Sequence, residues 1–379
     1  MDRETRQTVV RASQTRLDGG RAVQASRRRS AESLALHLIG GSKRTALLAL
    51  VLLAWIATPL AQAPTSQTPI TIKLATLVPT NSIWDKNLKQ MGEEFKQATG
   101  GRFEITVYSG GTQGDESMVL RKMRLEALQA GAFTNTGLGM IDPSFNVFNV
   151  PFFFESYDEL NYVVAKLTPA LKKRAEAKGF ILLNWGHGGW TQVFTKKPVQ
   201  TVADVKQVKL WTSAGNDNMV QWYKANGFQP RAMATTDITT GLTTGMIDGL
   251  PTTPLVASLF QWYRQTPYML EIGLAPIVGA GVITVKAWKA IPDADKPHLL
   301  AAAEGVEKRL QEAVPKLDAD AVTAMTKAGL TVTKPTDPEW RKQFDNLAKT
   351  MRGEQVPPDI FDLASKARDE FRKQPATAK

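Results

Sequence analysis

The chain has 379 residues, 43% of them hydrophobic and 22% charged, and it contains no cysteine. That length and apolar share exclude general disorder, and the missing cysteine excludes disulfide frameworks, thiolate metal sites and a cysteine nucleophile. The formal charge of +11 points toward nucleic acid or a membrane surface, but residues 1–63 alone hold ten Lys/Arg against four Asp/Glu; the remainder, at +5, is ordinary for a soluble protein.

Thr45–Ile56 (TALLALVLLAWI) follows Lys43 and Arg44 and carries no charge. A spanning helix needs about 20 apolar residues, whereas a shorter apolar core behind a basic flank reads as an export signal. Ala61-Gln62-Ala63 offers an Ala-x-Ala cleavage site, with Pro64 placed to hinder the cut. Residues 1–63 are therefore expected to be an N-terminal extension and export signal. A retained membrane anchor is the alternative.

A strand pattern opens at Ile70–Ala75. Trp84, Leu88, Met91 and Phe95 then follow at helical spacing up to Gly100-Gly101. Phe103, Ile105 and Val107 alternate with more polar residues, as in a half-buried strand. Gly110-Gly-Thr-Gln-Gly114 predicts a turn, and Val119, Met123 and Ala127 a helix. Ser156 with Glu159 forms a capping-box pattern before Leu160, Val163, Val164 and Leu167. Strand signals recur at Phe180–Asn184, Thr191–Thr195 and Val208–Thr212, with helices after Asn216 and Asp237. Val278–Val285 reads as a buried strand. Ala294–Lys327 reads as a long helix kinked at Pro315. One strand and two short helices are expected after Gly329. Strands and helices alternating over about 300 residues imply an α/β protein of two lobes, and the absence of a linker implies repeated crossing between them. A cleft between such lobes is the default ligand site.

Catalytic chemistry finds little support. Gly186-His187-Gly188-Gly189-Trp190 resembles the His-Gly-Gly oxyanion motif of lipases, but no G-x-S-x-G nucleophile elbow occurs. A glycine-rich turn after a strand is the preferred explanation, and a secreted hydrolase using His187 is a distant third reading. His298 is expected to be solvated. Gly279-x-Gly281 lacks the third glycine of a dinucleotide fingerprint. No cofactor and no metal site is expected.

Four segments in order resemble the solute-binding subunit of TRAP transporters, the tripartite periplasmic importers of the DctP type. These are Arg102–Tyr108 with Gly110–Gly114; Phe148-Asn-Val-Pro-Phe-Phe-Phe154 with Tyr157-Asp158; Lys197-Pro198-Val199 through Leu210; and Gly241-Leu-Thr-Thr-Gly-Met-Ile-Asp248-Gly249. The resemblance runs from Ile70 to about Val314. It implies a two-lobed periplasmic binding fold with crossover strands, a long lobe-spanning helix and a cleft that closes on a small organic ligand. It also implies the small and large membrane permease subunits as partners, with no nucleic acid. Lobe I is expected to comprise residues 70–187 plus 280–315, and lobe II residues 188–279 plus 316–373.

The departures shape the expected site. Where the family places arginines for a ligand carboxylate, this chain has Trp211 and Trp190; the family's asparagine falls at Thr252, and a further arginine at Ser117. An indole offers an apolar face and one N–H in place of a planar cation. Trp190 and Trp211 thus predict a carboxylate-bearing, aromatic or largely apolar ligand, or a cationic one held by cation–π attraction, and disfavour small dicarboxylates and sialic acid. Arg231 is a candidate replacement cation, with surface exposure preferred. Asp217 is a candidate helix cap that a cationic ligand could also meet. Trp84 and Trp222 are expected to pack in the core, and Trp185 to go either way. The expected function is an extracytoplasmic solute-binding protein of a TRAP-type importer, not an enzyme. A periplasmic sensing module presenting its ligand to a membrane receptor is the alternative.

Overall fold

The structure is a computed structural model and describes residues 69–335 and 339–375. Residues 1–63, with the expected export signal, lie outside the described residues. Two sheets organise the rest. In the first, β1 (Ile70–Thr76) lies between β2 (Phe103–Tyr108) and β3 (Ala130–Phe133), parallel to both. β10 (Pro276–Thr284) then pairs antiparallel with β3 and with β4 (Phe180–Trp190), giving the order β2-β1-β3-β10-β4.

The second sheet is built from β5 (Gln192–Thr195), β6 (Lys209–Ser213), β7 (Gln229–Met233), β8 (Gly249–Thr252), β9 (Tyr268–Leu270) and β11 (Thr331–Thr333). Its order is β11-β9-β5-β8-β6-β7. Only Thr191 separates β4 from β5, so one continuous extended run carries the chain from the first sheet to the second. The return passes from β9 to β10 beside it: Thr191 N donates to Ala275 O and Leu274 N to Thr191 O, both at 2.8 Å.

Helices cover these sheets where the periodicity places them. In α1 (Ile83–Ala98), Ser82 Oγ accepts from Asp85 N, and Trp84, Leu88, Met91 and Phe95 are buried on one face. Ser156 Oγ caps α4 (Tyr157–Ala177) by accepting from Glu159 N. The Glu159 carboxylate returns to the N–H of Glu155, one residue before the cap, and also receives Arg372. Between them lie α2 (Glu116–Arg124) and α3 (Asn135–Ile141). The turn before α2 needs glycine, because Gly110, Gly111 and Gly114 all have left-handed φ.

In the second lobe α5 (Val202–Gln207), α6 (Asp217–Ala225), α7 (Ile238–Thr244) and α8 (Pro254–Leu259) join the strands, and α9 (Val285–Ala290) follows β10. α10 (Lys296–Lys327) has 32 residues, about 48 Å at 1.5 Å per residue. Leu299, Ala303, Val306 and Leu310 pack with the first sheet, whereas Ala321 and Met325 join the core of the second, so this helix spans both lobes. It runs on through Pro315, and its buried stripe continues from Leu310 and Val314 to Asp318 and Ala321.

Two placements differ from the sequence expectation. Gly186–Gly189 is strand rather than turn: Gly186 stands opposite Gly279 and His187 opposite Val278 in the β4–β10 ladder. Glycine serves close packing here, since a Cβ on Gly188 would lie 2.6 Å from Ile277 Cγ2 and one on Gly279 2.7 Å from Phe133 O. The chain end also divides. α11 (Glu339–Glu354) places Trp340 and Phe344 against Val193 and Val202, whereas α12 (Pro358–Arg372), grouped by sequence with lobe II, buries Ile360, Ala364 and Ala367 with α4 in the first lobe.

Candidate functional site

A cavity of about 290 Å³ opens between the two sheets. Its wall takes in the end of β1, the β3–α3 junction, the glycine segment of β4, the ends of β6 and β8, and the crossover at Leu274–Ile277. Loops of the two lobes already touch around it. An added Cβ on Gly111 would stand 2.8 Å from Thr236 Cγ2, and one on Gly215 3.1 Å from Ser117 Cβ. The lobes are therefore closed upon the cavity.

Four indoles contribute to the wall, those of Trp84, Trp211, Trp222 and Trp262. Each N–H already donates within the protein: Trp84 to His187 O at 2.7 Å, Trp211 to Met233 O at 3.2 Å, Trp222 to Thr350 Oγ1 at 2.8 Å and Trp262 to Thr239 Oγ1 at 2.9 Å. The bonds fix the rings and leave only their faces for a ligand. Phe133, Phe260 and Tyr223 extend this aromatic lining.

Among the described residues, no lysine or arginine lines the cavity. The one carboxylate in the wall is Glu116, which is buried and accepts from Thr134 N at 2.6 Å and Thr134 Oγ1 at 2.9 Å. Burial pushes its pKa up to about 7 despite these donors. His187 also lines the cavity, and desolvation lowers its pKa to about 4, which keeps the ring neutral. From the second lobe come Thr212 and Thr252, buried residues whose hydroxyls hold no hydrogen bond among the described residues.

Of the residues singled out from sequence, Trp211 and Thr252 stand in this wall. Trp190 stands outside it, half-buried at the crossover, with its ring edge-on to Tyr157 at 5.4 Å and its backbone N–H donating to Asp318 Oδ2. Ser117 lies at the lobe contact opposite Gly215, exposed and outside the lining. Asp217 is exposed at the first position of α6, and the cap is Asn216, whose Oδ1 accepts from Met219 N. Arg231 is exposed on β7. Trp185 is core, bonded to Thr168 Oγ1 and edge-on to Phe148. Trp84 and Trp222 do pack in the cores as expected, but each also turns one surface to the cavity. Trp262 was not singled out at all; an aromatic residue in a short turn carries no periodicity that would mark it.

The sequence profile of the bacterial extracellular solute-binding proteins, family 7, matches residues 74–355. The chain belongs to this family. It is thus a solute-binding protein of the TRAP type and not an enzyme. It is 29% identical over 227 residues to a solute-binding protein of Chromohalobacter salexigens, covering 59% of this chain and 67% of that one. A crystal structure of a TRAP periplasmic solute-binding protein from Xanthobacter autotrophicus, with bound β-D-galacturonate, superposes with a TM-score of 0.73 at 17% identity, covering 79% of this chain and 99% of that one. An extracytoplasmic solute receptor of Bordetella pertussis binding pyroglutamic acid gives a TM-score of 0.72 at 22% identity, with 79% of this chain and 99% of that one covered. This binding protein shares their two-lobed fold. Among its described residues no helix is long and apolar enough to cross a membrane.

Proposed function

We propose that this protein captures a small organic solute whose body is aromatic or largely apolar, and delivers it to the membrane permease subunits of a TRAP importer. The observation that carries the ligand class is the wall itself: four indole faces and no cationic side chain. A carboxylate buried without a cation pays a desolvation cost that apolar walls do not return. The free hydroxyls of Thr212 and Thr252 are neutral donors that suit an acid group on such a ligand, as the acids bound by its structural neighbours invite. Residues 45–56 with Ala61-Gln62-Ala63 serve as the export signal in this reading.

Native mass spectrometry of the exported form, purified without denaturation, tests the ligand class. An aromatic or mainly apolar compound is expected, and a bound dicarboxylate or sugar acid would overturn the proposal. Trp211→Ala should weaken the released compound's affinity about tenfold, the share of one aromatic contact. A fusion of residues 1–63 to a periplasm-dependent reporter should be active, and an inactive fusion would remove the export reading.

A further inference from the structure

His187 brings to the cavity wall a polar side chain that the fold itself does not use. The residue is 5% exposed, yet neither ring nitrogen makes a hydrogen bond among the described residues. Neither nitrogen is sealed off from the surroundings, so both polar functions open onto the cavity. Its backbone is firmly placed: the carbonyl accepts from Trp84 Nε1 at 2.7 Å, and the residue stands opposite Val278 on β10. The neighbouring glycines are explained by packing. A Cβ on Gly188 would press into Ile277, and one on Gly189 would lie 3.0 Å from the Asp318 carboxylate. The imidazole itself has no such packing reason. It lines the cavity, and among the described residues its ring neighbour is Tyr157, with centroids 6.2 Å apart.

We infer that His187 is a specificity-determining ligand contact, whose imidazole pairs with a hydroxyl, carboxamide or amine carried by the solute. Neutral imidazole holds one donor and one acceptor, so it reads a group able to give and to take a proton in hydrogen bonds. In a wall made chiefly of aromatic and aliphatic carbon, that makes it the polar mark by which hydroxylated or aminated compounds are told from plain hydrocarbons. The inference rests on the solute-binding reading of the cavity.

Calorimetric binding of phenylacetate, 4-hydroxyphenylacetate, tyramine, succinate and D-galacturonate to the exported form, and to His187→Phe and His187→Gln, provides the test. His187→Phe should lose at least 30-fold in affinity for the tightest binder, and His187→Gln, which keeps both polar functions, should lose less. The unliganded His187→Phe protein should melt no lower than the parent, because the imidazole nitrogens make no hydrogen bond that the fold would lose. Unchanged affinity in His187→Phe, or equal losses in the two variants, would overturn the inference, as would a set from which no compound binds. Binding of only succinate or galacturonate would instead defeat the aromatic ligand class and leave His187 to be decided by the same variants.

Discussion

At the scale of single residues, the cavity sets one buried acid and one buried base in unfavourable surroundings. Glu116 sits in the wall with a pKa raised from 4.5 to about 7, so between those values the native protein holds a proton that the unfolded chain has released. Native stability from this group must therefore fall as pH rises through that window. Glu116→Gln removes the dependence. In urea melts, the stability of the parent relative to the variant should drop by about 2 kcal/mol from pH 4.5 to pH 7.5, and a flat difference would show that the carboxylate is better solvated than its burial implies. Which residues would reach the cavity was only partly legible. Position in a strand told where Trp211 and Trp190 fall along the chain, but not that one ring turns to the cavity while the other packs on Tyr157. Local pattern is blind to that choice, because the two sheets' twist and mutual angle decide it.

At the scale of elements, one side chain ties the lobe-spanning helix to the β4–β5 crossing and to the first turn of α8. Asp318 accepts from Trp190 N at 3.3 Å and from Leu255 N at 2.9 Å. Desolvation raises its pKa to about 6. Asp318→Leu would leave two backbone donors unpaired and should cost about 2 kcal/mol in denaturant melts, a loss that Asp318→Asn should in part restore. Gly189→Ala should be comparably harmful, since φ is +97° there and the methyl would meet the carboxylate. The helix was read from sequence because its apolar stripe survives 32 residues, and Pro315 does not interrupt that stripe. The glycine segment of β4 was misread as a turn because glycine usually punctuates strands; here it lets two strands and a third backbone approach closely. The C-terminal helix was read as a helix, but amphipathicity says only that one face is covered, not by which lobe.

At the scale of the whole molecule, closure is written into contacts between small residues. Gly215 approaches Ser117, and Gly111 approaches Thr236, with no room for a larger side chain. Ser117→Trp should hold the lobes apart without touching either core. Ligand affinity should fall at least tenfold while the unliganded melting temperature stays within about 1 °C, an exposed substitution being nearly neutral for stability. Small-angle scattering with saturating ligand should show a larger radius of gyration than the parent; an unchanged radius would mean that the contact yields. The family was legible at this scale because four separated segments keep their order, which no single element could have established.

The indoles of the wall have an optical consequence. Four of the nine tryptophans face the space a solute would enter, and each has its N–H bonded within the protein. Entry of a ligand exchanges solvent for carbon against the ring faces alone. Intrinsic emission should therefore shift to the blue on binding, so that the protein reports its own occupancy without a dye.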